Sequence, residues 1–176
     1  MNRRTGHTIA LDGPELDVDL GMPGAPLARP AWTATLETPT KSEGAEGECA
    51  FHLVSKEPPL EATVTYRWDS KQPVLRKLAR VRNPTQKEVR LLNVRLGTYK
   101  TAAKIAEREQ GFPIYLDDEA FLSLAHPAGW ATGKDGIAEL RHYPGRSSRR
   151  ALPTIAWRRS MASGRRAPRA RRSSRT

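Results

Sequence analysis

The sequence predicts an all-β protein, an antiparallel β-sandwich, on three observations. Leu60, Ala62, Val64, Tyr66 and Trp68 alternate strictly with Glu61, Thr63, Thr65 and Arg67, the period of a strand with one buried face. Several other short apolar runs are joined by turn formers a few residues long, such as Asp69–Pro73 and Asn83–Thr85, as in a meander. An antiparallel sheet with one apolar face needs a second layer to cover it.

The elements follow in order. Residues 1–48 are rich in Gly, Pro and Thr, with short apolar pieces at Ile9–Leu11 and Trp32–Leu36, and read as short strands or an irregular lead-in to the sandwich. KSEGAEGE (41–48) reads as a loop. From residue 49 to residue 145 the strand pattern sharpens into the main domain. Residues 50–54 form one strand and 60–68 the next, where alternation puts Trp68 in the core. Residues 74–82 form a strand of mixed pattern that predicts a bulge near Lys77. Residues 88–98 form another, with Leu92, Val94 and Leu96 on one face. Residues 100–110 (KTAAKIAEREQ) have the propensity of a helix, though their alanines anchor no apolar stripe. Strands at Phe112–Asp117, Phe121–Ala125 and Gly136–Tyr143 complete the set, with PAGWATGKDG a Gly-rich loop between the last two.

The charge is divided unevenly. The 176 residues carry a net +11, which by itself suggests a nucleic-acid or anionic-surface binder. Residues 146–176 hold eleven arginines and no acid, while residues 1–145 balance 19 basic against 19 acidic side chains. The body is therefore neutral and the end carries the excess. Arg, Ser, Ala, Gly and Pro supply 25 of those last 31 residues, a composition that repels itself, buries little and predicts disorder. Nucleic acid is expected to bind through Arg146–Thr176 if anywhere. Lysine is absent there although the body has 8, and the dominant residue types of the tail, Arg, Ala, Ser, Gly and Pro, are all served by GC-rich codons. A frameshifted or eroded gene end accounts for that switch better than an evolved basic arm.

Cys49 is the single cysteine, so neither an intrachain disulfide nor a cysteine zinc site is expected. No apolar run approaches the ~20 residues of a membrane span, and the opening MNRRTGHTIALDG lacks the apolar stretch of a secretory signal. A cytoplasmic location is the default expectation, with no membrane partner. Nucleophile elbow, P-loop, dinucleotide turn and His/Glu metal helix are all missing, so no catalytic residue, metal or cofactor is expected. Four candidates for carbohydrate contact remain. Trp130 sits in the Gly-rich loop, where an aromatic ring has little reason to be buried. Asp117 and Asp118 form the tight acidic cluster of the second half, although neighbours on a strand point to opposite faces and a turn role is the plainer reading. His126 precedes the Trp130 loop and is expected to brace it.

The runs VTYRWDSKQPVLRKLARVRNPTQKEVRLLNVRLGTY, GFPIYLDDEAFLSLAHPAGWATG and LRHYPG resemble part of the N-terminal β-supersandwich of α-galactosidase (melibiase)-like glycoside hydrolases. The likeness covers roughly residues 60–145 and rests on the order and spacing of short motifs. It implies a two-layer sandwich packed against a (β/α)₈ barrel that holds the catalytic carboxylates, a barrel of about 250 residues that this chain does not contain. The chain is then expected to be a truncated, non-catalytic accessory fragment with weak carbohydrate contact. The Trp130 loop would lie near the barrel or a neighbouring subunit. Such an incomplete sandwich exposes apolar faces and strand edges, which predicts poor solubility.

Overall fold

The computed structural model describes residues 6–22, 25–37, 46–69, 71–72, 74–106, 113–125, 129–144 and 146–148. Among them every regular element is a strand and every pairing is antiparallel, so the chain is an all-β sandwich. One layer is a six-stranded sheet of β1 (Asp17–Met22), β2 (Ala25–Ala28), β7 (Val89–Lys100), β11 (Gly129–Lys134), β12 (Ile137–His142) and β13 (Arg146–Ser148). Its order is β11-β12-β7-β1-β2, with β13 paired to the start of β7. The other layer comprises β3 (Thr33–Leu36), β4 (Glu46–Lys56), β5 (Pro59–Asp69) and β6 (Val74–Arg82), in that order. A small sheet of β8 (Ile105–Ala106), β9 (Ile114–Leu116) and β10 (Ala120–Leu122) completes the set.

Two buried clusters hold the layers together. The larger joins Leu16, Val18 and Leu20 of the β1 region and Val89, Leu91, Val94 and Leu96 of β7 to Leu53, Leu60, Ala62, Val64, Ala79 and Val81 of the second layer. The smaller joins Tyr99, Ala131, Ala138 and Leu140 to Ile114, Leu116 and Leu122. β7 serves both because it bulges twice. Asp19 faces Asn93 while Leu20 faces Leu91, so Leu92 is the extra residue. It lies on the outer face over Gly21 and not, as the spacing predicted, beside Val94 and Leu96. The second irregularity falls where Glu139 faces Thr98 and Arg141 faces Arg95. There Gly97 takes φ +151°, and the shift returns Tyr99 to the interior.

Other expectations need correction. Ile105–Ala106 is a strand in the 100–110 segment, not a helix: Ile105 packs on the smaller core cluster, and that burial outweighs alanine's helix propensity. β6 pairs with β5 in unbroken register from Trp68↔Leu75 to Glu61↔Arg82, so there is no bulge at Lys77. The lysine breaks the apolar pattern because it points inward, at 1 % exposure. Its ammonium donates to the Leu96 carbonyl at 2.9 Å and the Tyr99 hydroxyl at 3.1 Å, and pairs with the Glu15 carboxylate. A buried ammonium persists only with such partners. Trp68 lies on the core-facing side of β5, as alternation requires, yet is 37 % exposed. The core residues of β5 stop at Val64, with Tyr66 at the border, and the strand runs on past them. Its indole rests on Gly47 across the ladder, where a Cβ would stand 2.1 Å from the ring.

Turn chemistry was legible. Asn83 is buried, accepts from the Thr85 amide at 3.0 Å and donates to the Lys87 carbonyl at 2.8 Å. Asp135 and Gly136, at φ 51° and 72°, close a two-residue hairpin between Lys134 and Ile137, the Asp-Gly signal of such a turn. That hairpin makes a strand, β11, of what was expected to be the Trp130 loop. Arg146–Ser148, the first residues of the arginine-rich segment, pair with Leu91, Arg90 and Val89. The rest of that segment, with Trp157, lies outside the described residues. The outermost strand β6 carries Arg76, Arg80 and Arg82 besides inward-pointing Lys77, charges that discourage edge-to-edge association. Among the described residues no helix is long and apolar enough to cross a membrane.

Candidate functional site

Polar chemistry collects on the outer face of the six-stranded sheet. In β1, Val18 and Leu20 enter the core, so alternation sends Asp17 and Asp19 outward. In β12, Ala138 and Leu140 enter the core, so Glu139 and Arg141 face outward, and Tyr143 follows them just past the strand end. Register then sets Trp130 opposite Arg141, Arg141 opposite Arg95 and Arg95 opposite Asp17 in one row across four strands.

Facing arginines repel, and the acids between them remove that cost. Arg95 binds Asp17 at 2.7 Å and Asp19 at 2.6 Å, with Glu139 3.7 Å from its Nε. Arg29 adds a 2.7 Å contact to Asp19, and the Asn93 amide donates to the same carboxylate at 3.0 Å. Burial alone would push the Asp19 carboxyl up. Hydrogen bonds from Arg95, Asn93 and Arg29, and the charge of Arg95, outweigh it and hold the pKa below the ordinary value. Asn93 is 5 % exposed and its Oδ1 has no partner among the described residues.

Arg141 differs from the other two arginines. Its guanidinium carbon lies 5.5 Å from the centre of the Trp130 ring and 5.7 Å from that of Tyr143, within cation–π range of both. Glu139 Oε1 stands 3.3 Å from its Nε. Trp130 and Tyr143 are 37 % and 49 % exposed, so two aromatic surfaces flank a fixed guanidinium at the protein surface. Aromatic rings that are apolar in body and bordered by hydrogen-bonding groups suit amphipathic ligands.

Of the residues singled out from the sequence, Trp130 belongs to this face. Asp117 and Asp118 lie in the turn between β9 and β10, both in the left-handed region at φ 50° and 54°. Asp117 accepts from the Lys104 amide at 2.7 Å, and the Glu119 amide donates to the Leu116 carbonyl at 3.0 Å. Aspartate is among the few side chains that tolerate this backbone. No hydrogen bond or ion pair ties either residue to Trp130 or Arg141 among the described residues. Asp118→Gly is expected to raise stability by about 0.5–1 kcal/mol by relieving φ at an exposed position, which a urea-denaturation midpoint would register. His126 lies outside the described residues.

Asp17, Asp19, Asn93, Arg95, Glu139, Arg141 and Tyr143 were not singled out beforehand. For Asp17, Asp19, Glu139 and Arg141 the signal lay in the alternations DVDL (17–20) and AELR (138–141), whose polar members mark one face, whereas Asn93 and Arg95 follow a bulge that breaks the period of β7. Among the described residues no group of three His, Cys, Asp or Glu side chains is placed to hold a metal ion. A scan against protein-family models and searches of curated proteins and of solved structures give no match to this chain.

Proposed function

We propose that this chain is a non-catalytic accessory β-sandwich of an α-galactosidase-like glycoside hydrolase, and that it contacts carbohydrate with the outer face of its six-stranded sheet. The observation that carries the binding role is the exposed Trp130 ring, fixed by Arg141 beside Glu139 and Tyr143. The C–H face of a sugar ring stacks on the indole while its hydroxyls meet the carboxylate and guanidinium. The parent family is proposed on the sequence resemblance. A catalytic barrel or neighbouring subunit would supply the chemistry.

Affinity electrophoresis in galactomannan tests the binding role. The full chain should be retarded, and Trp130→Ala should weaken the interaction by about tenfold, the scale of one well-placed tryptophan. Equal retardation of the two would overturn it. Turnover of an α-galactoside by the pure chain would overturn the non-catalytic role.

The arginine content of residues 146–176 favours a second reading, nucleic-acid association. It requires binding that weakens steeply with salt and disappears when residues 149–176 are removed.

A further inference from the structure

We infer that the Trp130 face selects an acidic saccharide, one bearing a carboxylate, over a neutral one. This refinement rests on the proposed carbohydrate contact and names its ligand class. Among the described residues three guanidiniums, those of Arg29, Arg95 and Arg141, meet the carboxylates of this face, and their partners are unequal. Arg29 is bound by Asp19, and Arg95 by Asp17 and Asp19 with Glu139 nearby. Arg141 has Glu139 alone, on its Nε side, and that Nε is buried with no hydrogen bond among the described residues. No hydrogen bond or ion pair engages its two terminal nitrogens among those residues.

The free edge of Arg141 is oriented as well as open. Trp130 and Tyr143 each lie within 6 Å of the guanidinium carbon, and the side chain is 29 % exposed. A planar fork held at a surface is a bidentate receptor for a carboxylate. The adjoining indole sets the geometry of the remainder, a pyranose ring stacked on Trp130 with its carboxylate directed at Arg141. A neutral sugar makes the stack and forgoes the charge-assisted pair.

The test compares methyl α-D-galacturonoside with methyl α-D-galactoside. Both are small, so multivalent attraction to the basic tail plays no part. Saturation-transfer NMR and calorimetry on the full chain should show the uronoside bound about tenfold or more tightly. Arg141→Gln should abolish that preference, bringing the two ligands to equal affinity whatever it costs galactoside binding, and Arg141→Lys, charged but without the fork, should recover only part of the preference. Trp130→Ala should weaken both ligands. Equal affinity of the full chain for the two ligands, or a preference that survives Arg141→Gln, overturns the inference and leaves the carbohydrate reading standing. Failure of both ligands to bind overturns both. Matching thermal melts of the variants and the parent chain establish that each variant is folded.

Discussion

Lys77→Ala is expected to destabilise the protein by about 3–5 kcal/mol, because one ammonium ties three parts of the chain together. Lys77 of β6 meets Glu15 ahead of β1, and Leu96 and Tyr99 of β7. It also lies 5.5 Å and 5.7 Å from the ring centres of Tyr66 and Tyr99. Truncation leaves the Glu15 carboxylate without its counter-ion and opens a cavity at the boundary of the two core clusters. A loss of that size is a large share of the 5–15 kcal/mol typical of a whole domain. Lys77→Met combined with Glu15→Gln, which removes both charges and keeps both side-chain lengths, should cost far less, since replacement of a whole buried ion pair is often tolerated. Urea-denaturation midpoints of the two variants give the comparison, and equal losses would refute the ionic role of Lys77.

The same cluster sets a pH dependence. Burial pushes the Glu15 carboxyl up, but the Lys77 charge and hydrogen bonds from Lys77, Tyr66 and Tyr99 bring its pKa below the ordinary 4.5. Asp19 is likewise held below its ordinary 3.8. A carboxyl whose folded pKa is depressed contributes stability that is complete above its unfolded pKa and is lost as pH falls through the folded one. Stability should therefore be flat above about pH 5 and fall progressively below it. Glu15→Gln should remove part of that slope. An unchanged slope would show that Glu15 is not linked to folding.

Gly97→Ala is the second large effect, an expected loss of about 2–5 kcal/mol from backbone strain and overpacking together. Gly97 sits at φ +151°, and a Cβ there would stand 2.1 Å from the Tyr99 ring. The ring cannot retreat freely, because its hydroxyl also bonds Glu15 at 2.8 Å. This glycine lets β7 bulge once more and turn Tyr99 into the smaller cluster after Val94 and Leu96 have entered the larger. Thermal melts measure the effect, and a shift of less than about 2 °C would show that the strand accommodates the methyl without cost.

Much of this protein was legible in the sequence where one rule acted alone. The period-2 run of β5, the limits of β6, the Asn83 turn and the division between neutral body and basic end required only local chemistry. Tertiary structure decided whatever depended on a partner strand. Lys77 is inward because Glu15, Leu96 and Tyr99, remote in sequence, supply its ligands. Trp68 is half out because β5 extends past the core of the opposite layer. Leu92 leaves its expected face because a bulge, unmarked in composition, advances the alternation by one residue. The Trp130 face followed the same logic: single strands offered an exposed aromatic and scattered charges. Only the register of β11, β12, β7 and β1 brought Trp130, Arg141, Arg95 and Asp17 into one row. Sequence periodicity specifies which side of a strand a residue occupies, and pairing between distant strands determines which residues it meets there.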